Sequence, residues 1–168
     1  MQRPTTSTTR RPVVLLVQQS PDDGDMYAAF LRYCGLAPIA VSNARDARVL
    51  APHADIIVTG IMLDGPTDGI ALVRRLRADA CTKHTPIIVL TTCVWPRDRQ
   101  RAERAGCDVF LPKPCLPNDL LREVRLLLSA TRARQGRRFT RGIKAACTVE
   151  RSAGERAMAC NIEMHRGF

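Results

Sequence analysis

The chain has 168 residues, 45% hydrophobic and 25% charged, which suits one globular domain with a real core and excludes disordered, collagen-like and repeat classes. Its longest apolar runs, such as Val13 to Val17, fall far short of the ~18 residues of a membrane span or the ~7–15 of a signal-peptide core, so no membrane association is expected and the expected location is the cytoplasm. The formal charge of +10 is unevenly spread: residues 12–130 carry 12 Arg and 2 Lys against 11 Asp and 2 Glu, a net of +1, whereas residues 1–11 give +3 and residues 131–168 give +6.

Residues 1–11, rich in Thr, Pro and Arg without apolar periodicity, read as a disordered basic leader. From residue 12 to 130, strand and helix signals alternate. Val13 to Val17 is a β-branched apolar run, as in a strand buried on both faces. Pro21, Asp22 and Asp23 start a helix with Asp22 as its N-cap, carrying Met26, Ala29, Phe30 and Tyr33 at helical spacing and stopping at Gly35. Pro38 to Val41 is a short strand, and Asn43 caps a helix bearing Ala47, Val49 and Leu50. Asp55 to Thr59 forms a third strand; Gly60 to Asp68 is loop; Ile70, Val73 and Leu76 mark a helix ending near Ala80. Pro86 to Thr91 is a fourth strand, Pro96 to Ala105 an Arg-rich helix closed by Gly106, and Val109 to Leu111 a fifth strand. Pro117 opens a last helix with Leu120, Leu121, Val124, Leu127 and Leu128 on one face. Residues 131–168 form a basic tail expected to be disordered, in which Arg132, Arg134, Arg137, Arg138, Arg141 and Lys144 could track phosphates on a nucleic acid.

Five βα units predict an α/β fold, a doubly wound five-stranded parallel sheet with helices on both faces. Chemistry in such a sheet collects at the carboxyl ends of the strands, here Gln18 to Ser20, Thr59 to Asp64, Thr91 to Cys93 and Leu111 to Pro114. Dinucleotide and P-loop glycine patterns are missing, and QQSPDDGD is a poor flavin phosphate loop. The seven cysteines include no C-x-x-C pair and read as small core residues or inert surface thiols; His53, His84 and His165 have no metal-ligand spacing. With no paired acid and base, activated nucleophile or metal set, an enzyme is not expected.

The segments VVLLVQQSPDDGDMYAAFLRYCGLAP, DIIVTGIMLDGPTDGIALVRRLR, TPIIVLTT and ERAGCDVFLPKPCLPNDLLREV, in this order and spacing, make residues 12–130 resemble the CheY-like receiver domains of two-component response regulators. The resemblance implies strand order 2-1-3-4-5 and a site built from a phosphoacceptor aspartate after the third strand, two acidic residues holding Mg²⁺ after the first, a Thr or Ser ending the fourth, an aromatic switch on the fifth and a Lys before a Pro. Thr91, Phe110 and Lys113 match the last three positions, with a cis bond expected between Lys113 and Pro114. The acceptor position falls on Gly60 and the acid-pair positions on Gln18 and Gln19, so Mg²⁺ binding is expected to be weak or absent and no other cofactor is implied. Asp64, four residues after Gly60, reads as a solvated loop residue, an ion-pair partner for Lys113 or a surrogate acceptor. Lys113 is either a residual charge without a ligand or part of an anion pocket with Thr91 and the backbone N–H groups around Gly60.

The leading expectation is a single-domain receiver-like protein acting by protein contact without aspartyl phosphorylation. Its expected partners are a histidine kinase or another receiver, meeting a face that includes Arg101, Arg104, Phe110, Leu121 and Arg125; the tail is too short for a second core. The alternatives are a receiver phosphorylated on a surrogate carboxylate such as Asp64, and a nucleic-acid-associated protein using its Arg-rich ends.

Overall fold

The computed structural model describes residues 10–134. His165, Cys147, Cys160, most of the basic tail and residues 1–9 of the leader therefore lie outside the described residues. The strands are β1 (Val13–Val17), β2 (Ala37–Val41), β3 (Ile56–Thr59), β4 (Ile87–Thr91) and β5 (Val109–Pro112). Between them run α1 (Pro21–Tyr33), α2 (Ala44–Leu50) followed by a 3-10 turn (Ala51–His53), α3 (Gly69–Ala78) and α4 (Pro96–Ala105). Residues 117–134 are helical, and the stretch up to Leu128 within the first compact unit is called α5. The sheet is parallel with order β2-β1-β3-β4-β5, the expected doubly wound architecture. No helix among the described residues is long and apolar enough to cross a membrane.

Side-chain alternation along the central strands divides the core in two. Leu15, Val17, Ile57, Ile87 and Val89 pack with Ala47 of α2, Val73 and Leu76 of α3 and Ala102 of α4. Val14, Leu16, Ile56, Val58, Ile88 and Leu90 pack on the other face with Tyr27 and Leu31 of α1 and Leu120 and Val124 of α5. Each face is covered by helices because every residue of β3 and β4 is buried.

Helix α1 departs from the sequence expectation in two respects. Its buried residues are Gly24, Tyr27, Ala28 and Leu31, whereas Met26, Ala29 and Tyr33 are exposed and Phe30 is half-buried. Two rival stripes share the helical period, and tertiary contact chose between them: the Tyr27 hydroxyl donates to the Cys115 carbonyl at 2.8 Å, pinning α1 to the β5–α5 loop. Its N-cap is Ser20, not Asp22; the Ser20 side chain accepts from the Asp23 N–H because Pro21 begins the first turn. On α2, Val49 is likewise exposed and the buried residues are Ala44 and Ala47. Four described cysteines are partly buried and Cys81 is exposed, all as free thiols. Burial raises the Cys107 and Cys115 thiols above their ordinary range, with nearby carboxylates adding to the effect.

One guanidinium ties the amino ends of β4 and β5 to α3. Arg77 donates to the carbonyls of Gly106 (2.8 Å) and Thr85 (2.7 Å) and to Asp108 (2.8 Å), while the same Asp108 carboxylate accepts from the Ile87 N–H. Gly106 closes α4 with φ of 99°, and a Cβ there would press on the Arg77 stem, so glycine is required twice over.

Arg77→Lys and Arg77→Ala are expected to lower stability by about 1–3 kcal/mol, read as a lower urea midpoint at unchanged slope, because a single ammonium nitrogen cannot reach acceptors spread around three guanidinium nitrogens. A lysine variant as stable as the parent would show that the fork carries no stability. Burial, then Cys115 and Asp23, raise the Tyr27 phenol above its usual value near 10.0. Its contribution to stability is therefore complete below that value and lost as pH climbs through the higher folded value. Tyr27→Phe should weaken the fold by about 1 kcal/mol at neutral pH and flatten its alkaline loss, read from midpoints across pH.

Candidate functional site

The carboxyl ends of the strands align through the pairs Val17↔Thr59, Thr59↔Val89 and Thr91↔Pro112, so the residues that follow each strand meet at one edge. Gln18, directly after β1, is almost wholly buried, whereas Gln19 is exposed. Gly60 follows β3, its N–H donating to the Val17 carbonyl at 2.8 Å. A Cβ on Gly60 would face the Met62 carbonyl at 3.2 Å and the Gln18 side-chain oxygen at 3.6 Å, so the two positions are direct neighbours. Gly69, opening α3, comes so close that a Cβ on it would collide with the Gly60 carbonyl. That approach fixes the β3–α3 loop against the strand end, aided by the Asp68 side chain, which caps α3 by accepting from the Ala71 N–H.

Lys113, after β5, reaches across the edge. Its ammonium donates to Gln18 Oε1 at 2.7 Å and to Asp23 Oδ2 at 2.7 Å, and the Lys113–Pro114 bond is cis as expected. Its side chain is 14% exposed against 42% for Asp23, so the pair is screened by water from the Asp23 side. Asp23 is not legible in the sequence as the partner of Lys113: as the third residue after a Ser cap it looks like helix-start chemistry, and nothing in its spacing reveals a contact 90 residues away. Of the readings open for Asp64, the ion pair with Lys113 does not form and the loop residue in contact with solvent is what is seen. Asp64 is exposed, and its N–H donates to the Ser42 carbonyl in a bridge pairing it with Asn43, which ties its loop to the segment after β2.

Thr91 is buried; its carbonyl accepts from the Lys113 N–H at 2.8 Å and its hydroxyl from the Cys93 N–H at 3.1 Å. Phe110 is partly buried against the α2–α3–α4 core, with the Arg99 guanidinium 5.8 Å above its ring, in the range of a cation–π contact. Thr91, Gln18, Gly60 and Lys113 thus share one edge, with Phe110 on β5, the strand that leads into Lys113. Of the expected contact face, Arg104 is exposed, Arg101 pairs with Asp68 and Asp98, and Leu121 is buried with α5's inner row and cannot meet a partner.

The donor set does not fit a hard divalent cation. Gln18 offers a neutral amide oxygen already bonded to an ammonium, its Nε2 is buried without a partner among the described residues, Gly60 supplies no oxygen from a side chain, and the Asp23 carboxylate is paired with Lys113.

The model of the response regulator receiver domain matches residues 14–125. Among curated relatives, a response regulator of Synechocystis sp. is 32% identical over 122 residues, covering 71% of this chain and 53% of its own. The phosphate regulon transcriptional regulatory protein of Pseudomonas aeruginosa is 29% identical over 120 residues, covering 70% and 52%. The chain thus spans about half the length of the curated relatives it matches. Among solved structures, the receiver domain of a signal transduction histidine kinase from Syntrophus aciditrophicus is 30% identical with a TM-score of 0.65, covering 71% of this chain and 91% of that one. The receiver domain of a Pseudomonas aeruginosa sensor histidine kinase, which holds a magnesium ion in its active-site cleft, is 27% identical with a TM-score of 0.65, covering 71% and 98%.

Lys113→Met should destabilise by about 1–3 kcal/mol, since it leaves the buried Gln18 amide with no partner on either atom. Asp23→Asn should have a smaller effect, within about 1 kcal/mol, because water can replace its carboxylate. Urea midpoints of the two variants decide it: the reverse ranking would mean that the ion pair, not the buried amide bond, holds Lys113.

Proposed function

Because the chain belongs to the response regulator receiver domain family of two-component systems, we propose that it is an atypical receiver that signals by protein contact without aspartyl phosphorylation. The observation that carries this reading is the Lys113 ammonium, bonded to Gln18 and Asp23 at 2.7 Å beside Gly60. A carboxylate nucleophile needs a cation to neutralise the phosphoryl charge as it develops. Here the position after β3 carries no side chain, and the neighbouring ammonium is occupied by fixed internal acceptors. The site is thereby held in one electrostatic state, independent of Mg²⁺. It performs no catalysis of its own and works in the cytoplasm. Its partners are a histidine kinase or another receiver, met through the exposed part of the α4–β5 surface around Arg104 and the Arg99-capped Phe110.

Incubating the protein with Mg²⁺ and a small acyl-phosphate donor, beside a conventional receiver as control, and recording intact mass tests this reading. The expected result is a labelled control and an unlabelled protein. A phosphoryl adduct lost in Asp64→Asn would replace the reading with phosphorylation on a surrogate carboxylate, and an adduct retained in that variant would overturn it in favour of another acceptor.

A further inference from the structure

On the face opposite α1 and α5, helices α2 and α3 flank two adjoining clefts of about 290 Å³ and about 470 Å³. Arg45 and Arg48 of α2 and Arg75 of α3 line both. The other described arginines of the helices make ion pairs or carbonyl contacts in several places, as Arg77, Arg99 and Arg101 do. The guanidiniums of Arg45, Arg48 and Arg75 make no hydrogen bond or ion pair among the described residues. Three guanidiniums lining one concavity without a partner among the described residues gain from an anion between them, and the planar fork suits phosphate oxygens.

Acidic groups also line these walls, and their placement narrows the ligand. Asp46 accepts from the Asn43 amide and Asp79 from the Cys81 N–H, each at 2.8 Å, so both serve their own helix ends. Asp64 stands at the far part of the larger cleft beside Gly65 and Pro66, exposed and with its carboxylate unbonded. A carboxylate there would repel a simple polyanion but accept hydrogen bonds from hydroxyl groups. Val49, 70% exposed, and Pro66 add apolar surface, and the larger cleft by itself has the volume of a small-ligand site.

We propose that the α2–α3 cleft binds a small phosphorylated ligand with hydroxyl donors, of nucleoside diphosphate size. Its phosphates lie among Arg45, Arg48 and Arg75 and its hydroxyls reach Asp64. None of these residues takes part in the Lys113 cluster, so the site stands or falls separately from the contact-signalling reading.

Calorimetric titration of the full chain with ADP, and separately with pyrophosphate, tests the proposal on the parent, Arg48→Ala/Arg75→Ala and Asp64→Ala. The substituted residues are exposed, so circular dichroism and melting curves are expected to match the parent. ADP should bind the parent, the double variant should bind it at least about tenfold more weakly, and Asp64→Ala should weaken ADP but not pyrophosphate. Absence of ADP binding would overturn the proposal. So would ADP binding equal in parent and double variant, which would assign it to arginines elsewhere in the chain. Pyrophosphate binding as tight as ADP, with no effect of Asp64→Ala on either, would overturn the hydroxyl-bearing ligand and leave an anion site.

Discussion

Burial of β1, β3 and β4 on both faces is the constraint from which the rest of the structure follows. Residues such as Leu15, Ile57 and Val89 on one side, and Leu16, Val58 and Leu90 on the other, lose their water only when helices cover both surfaces. Parallel strands require those helices as crossovers, so topology and burial are satisfied together. The faces being filled, polar groups gather at the strand ends, and the carboxyl edge becomes the place where Gln18, Gly60, Thr91 and Lys113 meet.

At that edge the dominant effect is the satisfaction of a buried amide rather than attraction between full charges. The Gln18 side chain is almost fully buried and has one bonded atom, its oxygen, on the Lys113 ammonium. Leaving such a group unpaired costs more than a solvent-screened ion pair returns, which makes Gln18 the anchor and Asp23 the adjunct. The close approach of Gly69 to Gly60 holds the neighbouring loop in place, so the cluster is framed by backbone on one side and by the cis Lys113–Pro114 turn on the other.

Much of the architecture was legible from residue order. Val13 to Val17 reads as a strand buried on both faces, Asp55 to Thr59 and Pro86 to Thr91 read as strands to within a residue of β3 and β4, and Asn43 and Gly106 punctuate α2 and α4 where their chemistry says they should. The expected site positions Gln18, Thr91 and Lys113 do converge. The face of α1 was not legible, because Met26–Tyr33 and Gly24–Leu31 have the same period and differ in what stands opposite them. Nor was the partner of Lys113: Asp64 and Asp23 are equivalent as charges, and the Ser42–Asp64 backbone bond withdraws the former.

The sequence by itself determined the fold class, the order of elements and the chemical types at the carboxyl edge, since these rest on local periodicity, capping and residue identity. Tertiary structure decided which side chains pair there and which arginines between α2 and α3 have no partner among the described residues. Those outcomes depend on distances between segments far apart in the chain, and a one-dimensional pattern of charge and hydrophobicity does not encode them residue by residue.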